Sequence, residues 1–258
     1  MSVMQSADYM EVIPGSSQGR VEEGQSIHRA FVLCQPLLPG TAAKELSMSN
    51  PGVVLCAAVR TAIGGYGGAL KDVPATGLGA MAIREVLSRA NLNGDDIDTV
   101  VMGQVVQAGA KMNPARQAAM AAGIADAVPA MTVNRVCGSG AQAIATAAQE
   151  VMLGFVQCAI AGGMENMDQS PYLMNGGRWG YRMGDAQIHD SMLRDGLNDA
   201  FSGQHSGWVT EDLVSKFEIS REAQDRWALR SQTRFSGAQA AGKFDAEIAP
   251  VEIPTRKG

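Results

Sequence analysis

A cysteine sits between a β-branched run and a pair of glycines in Val133-Asn134-Arg135-Val136-Cys137-Gly138-Ser139-Gly140-Ala141-Gln142-Ala143-Ile144. The pattern predicts a strand ending at Val136 and a helix starting at Gly138, with Cys137 on the elbow between them. In a parallel α/β sheet such an elbow opens on the crevice at the carboxyl edge of the strands, where ligands bind. The unpaired N–H groups and the dipole of a helix start favour an anion there, and so a thiolate. Gly138, Ser139 and Gly140 leave room for a carbonyl group, and the Cys137 N–H is placed to help hold an oxyanion. This is the chemistry of acyl transfer through a thioester. A cysteine in an Ala/Gly-rich stretch is as often a small packing residue, and spacing alone does not separate the two. Cys56 and Cys158 lie inside apolar runs and read as packing residues.

The elements that must position Cys137 follow from periodicity. Val53 to Val59 is a continuous apolar run, as expected of a strand buried on both faces. Thr99–Gly103, Ala130–Val133 and Cys158–Gly162 read the same way. Between them lie helical patterns: Thr76 to Ala90, a segment opened by Asn113-Pro114, and Gly138 to Phe155. Strands alternating with helices predict an α/β fold with a mixed, mostly parallel sheet. After Gly163 the rhythm breaks. Residues 168 to 218 are irregular and too long for an ordinary loop, so an excursion from the core is expected. Ser220 to Ala241 then reads as a helix capped by Ser220, and Glu247 to Ile253 alternates like a strand.

The totals exclude several classes. The 258 residues are 46% hydrophobic but only 5% aromatic, so the core must be aliphatic. A net charge of −5 argues against nucleic acid or a membrane surface as the main partner. The four cysteines form no CxxC pair, and His28, His189 and His205 have no metal-ligand spacing, so no metal is expected. Residues 1–49 are rich in Ser, Gly, Gln and Glu and read as a disordered extension. Asp8, Glu11, Glu22 and Glu23 speak against a secretory or mitochondrial leader, and a reduced, cytoplasmic protein is the expectation. No apolar run reaches the length of a membrane span.

Several stretches taken in order resemble the thiolase family, the acetyl-CoA acetyltransferases and 3-ketoacyl-CoA thiolases. They are Val59-Arg60-Thr61-Ala62-Ile63-Gly64 with Gly67-Gly68, Val101 to Val105, Asn113-Pro114-Ala115-Arg116-Gln117, Val133 to Ile144, Ala161 to Met167, and Phe244 to Gly258. The resemblance covers roughly residues 52 to 258. It implies a thiolase-like half, residues 50–167 as the N-terminal α/β core and 168–258 as a loop region that covers coenzyme A and helps oligomers form. It also implies acetyl-CoA or another acyl-CoA as substrate, no permanently bound cofactor, and a homodimer or tetramer. By the same resemblance Cys137 takes the acyl group, while Leu197, His205 and Ser206 fall where relatives contact coenzyme A or the acyl group. Ser206 replaces a methionine common in acetoacetyl-CoA thiolases, which bears on chain-length preference. Two family motifs are missing from this sequence: Gly-His-Pro, whose histidine activates the nucleophile, and Cys-x-Gly-Gly, whose cysteine handles the α-proton. Little or no turnover by this chain alone is therefore expected.

Other features carry weaker signals. Arg226, Arg230 and Arg234 make a basic ridge, read first as a solvated or partner-facing stripe and second as a site for coenzyme A phosphates. Met164, Met167, Met174, Met183 and Met192 fit an acyl groove or ordinary packing equally. Glu165 and Asn166 are expected to shape the site through hydrogen bonds, not to transfer protons. The glycines from Gly64 to Gly68 read as a turn, since the Lys-Ser/Thr of a P-loop is missing. Two other functions remain open: a non-catalytic coenzyme A-binding or dimerisation module, and a condensing enzyme of the ketoacyl-synthase kind.

Overall fold

The apolar runs do become strands, and those in the middle of the sheet alternate their side chains between two separate cores. In the run at 53–59, expected to be buried on both faces, Val54, Leu55, Cys56 and Ala58 are instead exposed, so Cys56 is not the packing residue expected. A computed structural model describes residues 29–34 and 52–253. In it the chain packs as two units: residues 197–243, and the remaining described residues. The boundary expected at residue 168 falls inside the larger unit. Of residues 1–49, only 29–34 are described.

The larger unit is built on a five-stranded sheet in the order β2-β1-β5-β3-β4. Its strands are β1 (Arg29–Cys34), β2 (Val54–Arg60), β3 (Thr99–Gly103), β4 (Ala130–Val133) and β5 (Cys158–Gly163). β3 is parallel to both β4 and β5, and β1 is antiparallel to both β2 and β5, so one strand of the five opposes the rest. This is the mixed, mostly parallel α/β sheet expected from the sequence. Helices α1 (Ala75–Ala90) and α2 (Pro114–Ala122) cover one face, and α3 (Ser139–Met152) covers the other. The two-residue alternation of strands sorts the core accordingly. Ala30, Val32, Val59, Val100, Met102 and Ile160 join Ile83, Val86 and Ala118 on the α1/α2 side. Leu33, Val101, Ala159 and Ala161 meet Ala143, Ala147 and Val151 of α3 on the other. Those three α3 residues recur every four positions, the stripe a helix needs to lie on a sheet.

β1 corrects the sequence reading, which gave this stretch to a disordered extension. Ala30-Phe31-Val32-Leu33-Cys34 is an apolar run, and Ala30, Val32 and Leu33 are all at most 1% exposed. Its register with β5 is unbroken from Arg29↔Gly163 to Cys34↔Cys158. Against β2 the register shifts between Ala30 and Val32, and Ala57 of β2 takes a left-handed φ of 52°. That is the behaviour of a β-bulge, with one extra residue on β2.

The stretch Glu247–Ile253 does not form the strand expected of it. It pairs at one point only, where the Arg60 N–H donates to the Glu247 carbonyl and the Ala249 N–H to the Arg60 carbonyl. The buried Arg60 guanidinium holds the segment: Nε lies 2.9 Å from Glu247 Oε1 and the ring of Phe244 lies beneath the guanidinium carbon at 5.5 Å. The Arg89 guanidinium also donates to the Ala246 carbonyl.

The irregular stretch after Gly163 holds more structure than its sequence suggests. A short hairpin pairs β6 (Tyr172–Leu173) with β7 (His189–Asp190), and a π-helical turn covers Met192–Leu197. The smaller unit contains α4 (Ser206–Lys216) and α5 (Arg221–Ala240). Ser220 caps α5 as expected, its side chain accepting from the Ala223 N–H at 3.2 Å. Neither helix has a buried residue. No helix among the described residues is long and apolar enough to cross a membrane.

Candidate active site

Cys137 stands where β4 gives way to α3, with Gly138 as the N-cap of the helix. The strand ends at Val133, where the apolar run predicted it and three residues before the elbow pattern did, and residues 134–138 form a tight elbow. Cys137 is exposed to solvent. Among the strands, β3, β4 and β5 all run in parallel, so their carboxyl ends lie along the edge from which this elbow starts. Crevices at that edge are where ligands of α/β sheets bind.

Side chains and backbone lock the elbow. The Asn134 carboxamide accepts from the Val136 N–H at 2.9 Å and donates to the Val105 carbonyl at 3.1 Å. Ser139 Oγ accepts from the Arg135 N–H at 2.8 Å and donates to the Val136 carbonyl at 2.6 Å. The Gly138 N–H closes a turn on the Arg135 carbonyl at 3.1 Å. The result forces Val136 to a φ of 49°. A β-branched residue in the left-handed region is strained, and strain of this kind persists only where the surroundings over-determine it. Here it turns the chain sharply enough to present the next side chain, Cys137.

Three glycines let the helix start sit directly on the strand ends. A Cβ on Gly103, the last residue of β3, would lie 2.5 Å from the Ser139 carbonyl carbon and 2.7 Å from the Gly140 nitrogen. A Cβ on Gly163 would lie 3.3 Å from the Gly140 Cα. Gly103 and Gly163 are themselves neighbours in the parallel ladder. Close backbone approach, not a turn, is what these positions require.

The residues that follow β5 brace the same edge. Glu165 Oε2 accepts from the Val105 N–H at 2.7 Å, and Oε1 from the Val106 N–H at 3.4 Å. Burial pushes the Glu165 carboxyl up from 4.5 to about 7, against the lowering effect of those two amides. Val105 thus receives Asn134 at its carbonyl and gives its N–H to Glu165, which links the elbow to the end of β5. Asn166 is buried and donates to the carbonyls of Leu70 at 3.0 Å and Val73 at 2.7 Å, while its Oδ1 accepts from the Asp168 N–H. Asp168 Oδ1 in turn accepts from the Gly67 N–H at 2.7 Å. The glycine run therefore makes a pinned turn, closed by Gly68 N–H on the Gly65 carbonyl at 2.9 Å. Glu165 and Asn166 shape the site through hydrogen bonds, as their positions suggested. Sequence reasoning missed Asn134, whose two-way hydrogen bonding depends on Val105 and left no signal in the sequence.

Leu197, His205 and Ser206 come together in the smaller unit. Leu197 ends the π-helical turn, Asn198 and His205 form an antiparallel bridge, and Ser206 opens α4. His205 Nδ1 accepts from the Gly207 N–H at 3.0 Å and so caps α4. Ser206 is exposed, and His205 and Leu197 are half-buried. Arg230 of the basic ridge lies over the Trp227 ring at 3.9 Å. The methionines divide: Met164 and Met192 are buried, whereas Met174 and Met183 are exposed. A cavity of about 230 Å³ lies in the larger unit among Thr76, Gln104, Lys111, Gln117, Asn166 and Gln169, and Cys137 does not line it. Among the described residues no group of three His, Cys, Asp or Glu side chains could hold a metal ion.

Comparison with known proteins supplies the family. The model of "Thiolase, N-terminal domain" matches residues 53–258. A probable acetyl-CoA acyltransferase of Staphylococcus epidermidis is 50% identical over 206 residues, 80% of this chain and 52% of its own length. A protein of the same description from Staphylococcus aureus is 52% identical, and the acetyl-CoA acetyltransferase of Cupriavidus necator 48% identical, each over the same shares. The chain spans about half the length of these relatives. With its elbow cysteine, mixed sheet and family match over residues 53–258, the chain belongs to the thiolase family and carries that family's N-terminal domain.

Proposed function

We propose that this chain carries the acyl-accepting half of a thiolase-type acyl-CoA C-acyltransferase, with Cys137 as the residue acylated. The observation that carries the reading is the exposed Cys137, presented by a strained, hydrogen-bonded elbow at the amino end of α3. The names of the relatives, acetyl-CoA acyltransferase and acetyl-CoA acetyltransferase, support an acyl-CoA thioester as substrate. In the first step Cys137 Sγ bonds to the thioester carbonyl carbon and the carbon–sulfur bond to coenzyme A breaks. The thiol proton of Cys137 ends on the departing coenzyme A sulfur. The helix start and the Cys137 N–H favour the negative oxygen that forms on the way. In the second step the acyl carbon leaves Cys137 for the deprotonated α-carbon of acetyl-CoA, or for a free coenzyme A thiol. Leu197, His205 and Ser206 would contact coenzyme A or the acyl group, and the working form would be a homo-oligomer. The compartment that fits this reading is the cytoplasm.

Both steps need proton handling that these residues do not supply: activation of the thiol in the first, and removal of the α-proton in the second. The sequence holds three histidines, none in a Gly-His-Pro context, and no Cys-x-Gly-Gly. General acid–base catalysis is worth about a hundred- to ten-thousandfold. The chain by itself is thus expected to release coenzyme A once and then to turn over very slowly. Mixing it with acetyl-CoA and titrating free thiol should show a slow release approaching one equivalent per chain, lost in Cys137→Ala. Sustained turnover of acetoacetyl-CoA would contradict the missing-base argument. No release from a folded chain would favour a non-catalytic coenzyme A-binding module.

A further inference from the structure

Two of the four thiols face each other inside the sheet. Cys34 ends β1, Cys158 begins β5, and the two are directly opposed in the unbroken antiparallel register of these strands. Directly opposed residues of an antiparallel pair have Cα atoms about 4.5 or 5.5 Å apart, and a disulfide spans about 4.4–6.8 Å. The register alone therefore sets the backbone for a bridge. The side chains complete the arrangement, with the two sulfurs 3.0 Å apart and one thiol bonded to the other. Both cysteines are free and half-buried, and both pack on the side of the sheet that α1 and α2 cover. The backbone around Cys158 is fixed as well. Asp98 Oδ2 accepts from the Gln157 N–H at 2.7 Å and the Cys158 N–H at 3.0 Å, and the Asp98 N–H donates to the Cys158 carbonyl at 2.9 Å.

We infer that Cys34 and Cys158 form a redox-closable clip, a modification site that takes a low-molecular-weight disulfide as its oxidant and ties β1 to β5. One cysteine sulfur attacks a sulfur of the reagent RSSR, and its proton leaves with the departing group as RSH. The second cysteine sulfur then displaces the remaining RS group, which also leaves as RSH. The pair gives up two hydrogens and two electrons, the reagent takes them, and one S–S bond replaces another. Burial, the bond to Cys34, and the Cys34, Asp98 and Asp96 charges all push the Cys158 thiol above the ordinary thiol range. Cys158 is therefore slow toward reagents that meet it singly, and it reacts through the partner held beside it. The bridge joins residues 124 apart in sequence, so closing it restricts the unfolded chain and stabilises the folded one. It lies at the amino end of β5, whereas the Cys137 elbow stands at the carboxyl ends of the parallel strands. Closing the clip leaves that elbow untouched, and the inference stands apart from the acyl-transfer reading.

Oxidised glutathione is the probe, applied to the folded full-length chain. In the parent chain, peptide mapping without reductant should find one bridge, between Cys34 and Cys158 of the same molecule. A chain carrying Cys56→Ser and Cys137→Ser keeps the pair and removes the two exposed thiols. Its intact mass should fall by about 2 Da, the two hydrogens transferred, with no glutathione retained. The bridged form should melt about 5–10 °C above the reduced form. A further Cys34→Ser change should abolish both the mass loss and the difference in melting temperature. Glutathione held singly on Cys34 or Cys158, a bridge from Cys34 to Cys56 or Cys137, or an unchanged mass in a folded chain would overturn the clip. A bridge that forms only in urea, or one that lowers the melting temperature, would overturn its place in the native sheet.

Discussion

Glu165 shows how a single half-buried carboxyl ties stability to the site. Its two oxygens take the N–H groups of Val105 and Val106, and burial still raises it to about 7. The folded chain therefore binds this proton more tightly than the unfolded chain, whose carboxyl titrates near 4.5. Between those two values the folded state holds more protons, so stability falls as pH rises through the interval. Below 4.5 the group contributes nothing, and above 7 its full cost is present, roughly 3 kcal/mol from the shift at about 1.4 kcal/mol per tenfold. Glu165→Gln should flatten the decline in urea-unfolding stability between pH 5 and 7 on that order. An identical pH dependence in the variant and the parent would show that Glu165 is not the titrating group. The same residue scale explains why the elbow position of Cys137 was legible from sequence and its support was not. A cysteine between β-branched residues and glycines is a visible pattern. The strain at Val136 and the two-way grip of Asn134 arise only once β3 and β5 bring Val105 alongside.

Elements that carry one strong period were readable, and those that depend on a distant partner were not. β2 to β5 and α1 to α3 fall within a few residues of their expected bounds, because each carries an apolar period in its own sequence. β1 was missed because six residues inside a polar segment give too short a period, and because its place is set by the open edges of β2 and β5. The 247–253 stretch shows the converse. It alternates like a strand, yet Arg60 offers it only one point of pairing. α4 escaped notice because it presents no buried stripe at all. The element-scale contact that matters most for chemistry is α3 on the end of β3. Gly103→Ala would drive a methyl to 2.5 Å from the Ser139 backbone, where no flexible side chain can yield. It should cost about 1–3 kcal/mol, as overpacking does. Because the helix start would shift, acylation of Cys137 should slow as well. A variant with parental melting temperature and parental acylation would show that the close approach is dispensable.

At the scale of the whole chain, the thiolase N-terminal region keeps a five-stranded sheet and an exposed elbow cysteine. Four parallel strands, one opposed strand and helices on both faces bring four strand ends to one edge, and Cys137 stands at that edge. The residues expected to contact coenzyme A sit in the smaller unit, where the Asn198–His205 bridge gathers Leu197, His205 and Ser206. The family's proton-handling motifs are missing from these 258 residues, so acylation and turnover should separate in this chain. The most direct measurement is intact-mass analysis of the chain after incubation with acetyl-CoA, followed by peptide mapping without thiol reductant. The account predicts a single added acetyl group, located on Cys137, and none on Cys34, Cys56 or Cys158. An unmodified chain that is folded by circular dichroism, or an acetyl group spread over the other cysteines, would contradict it.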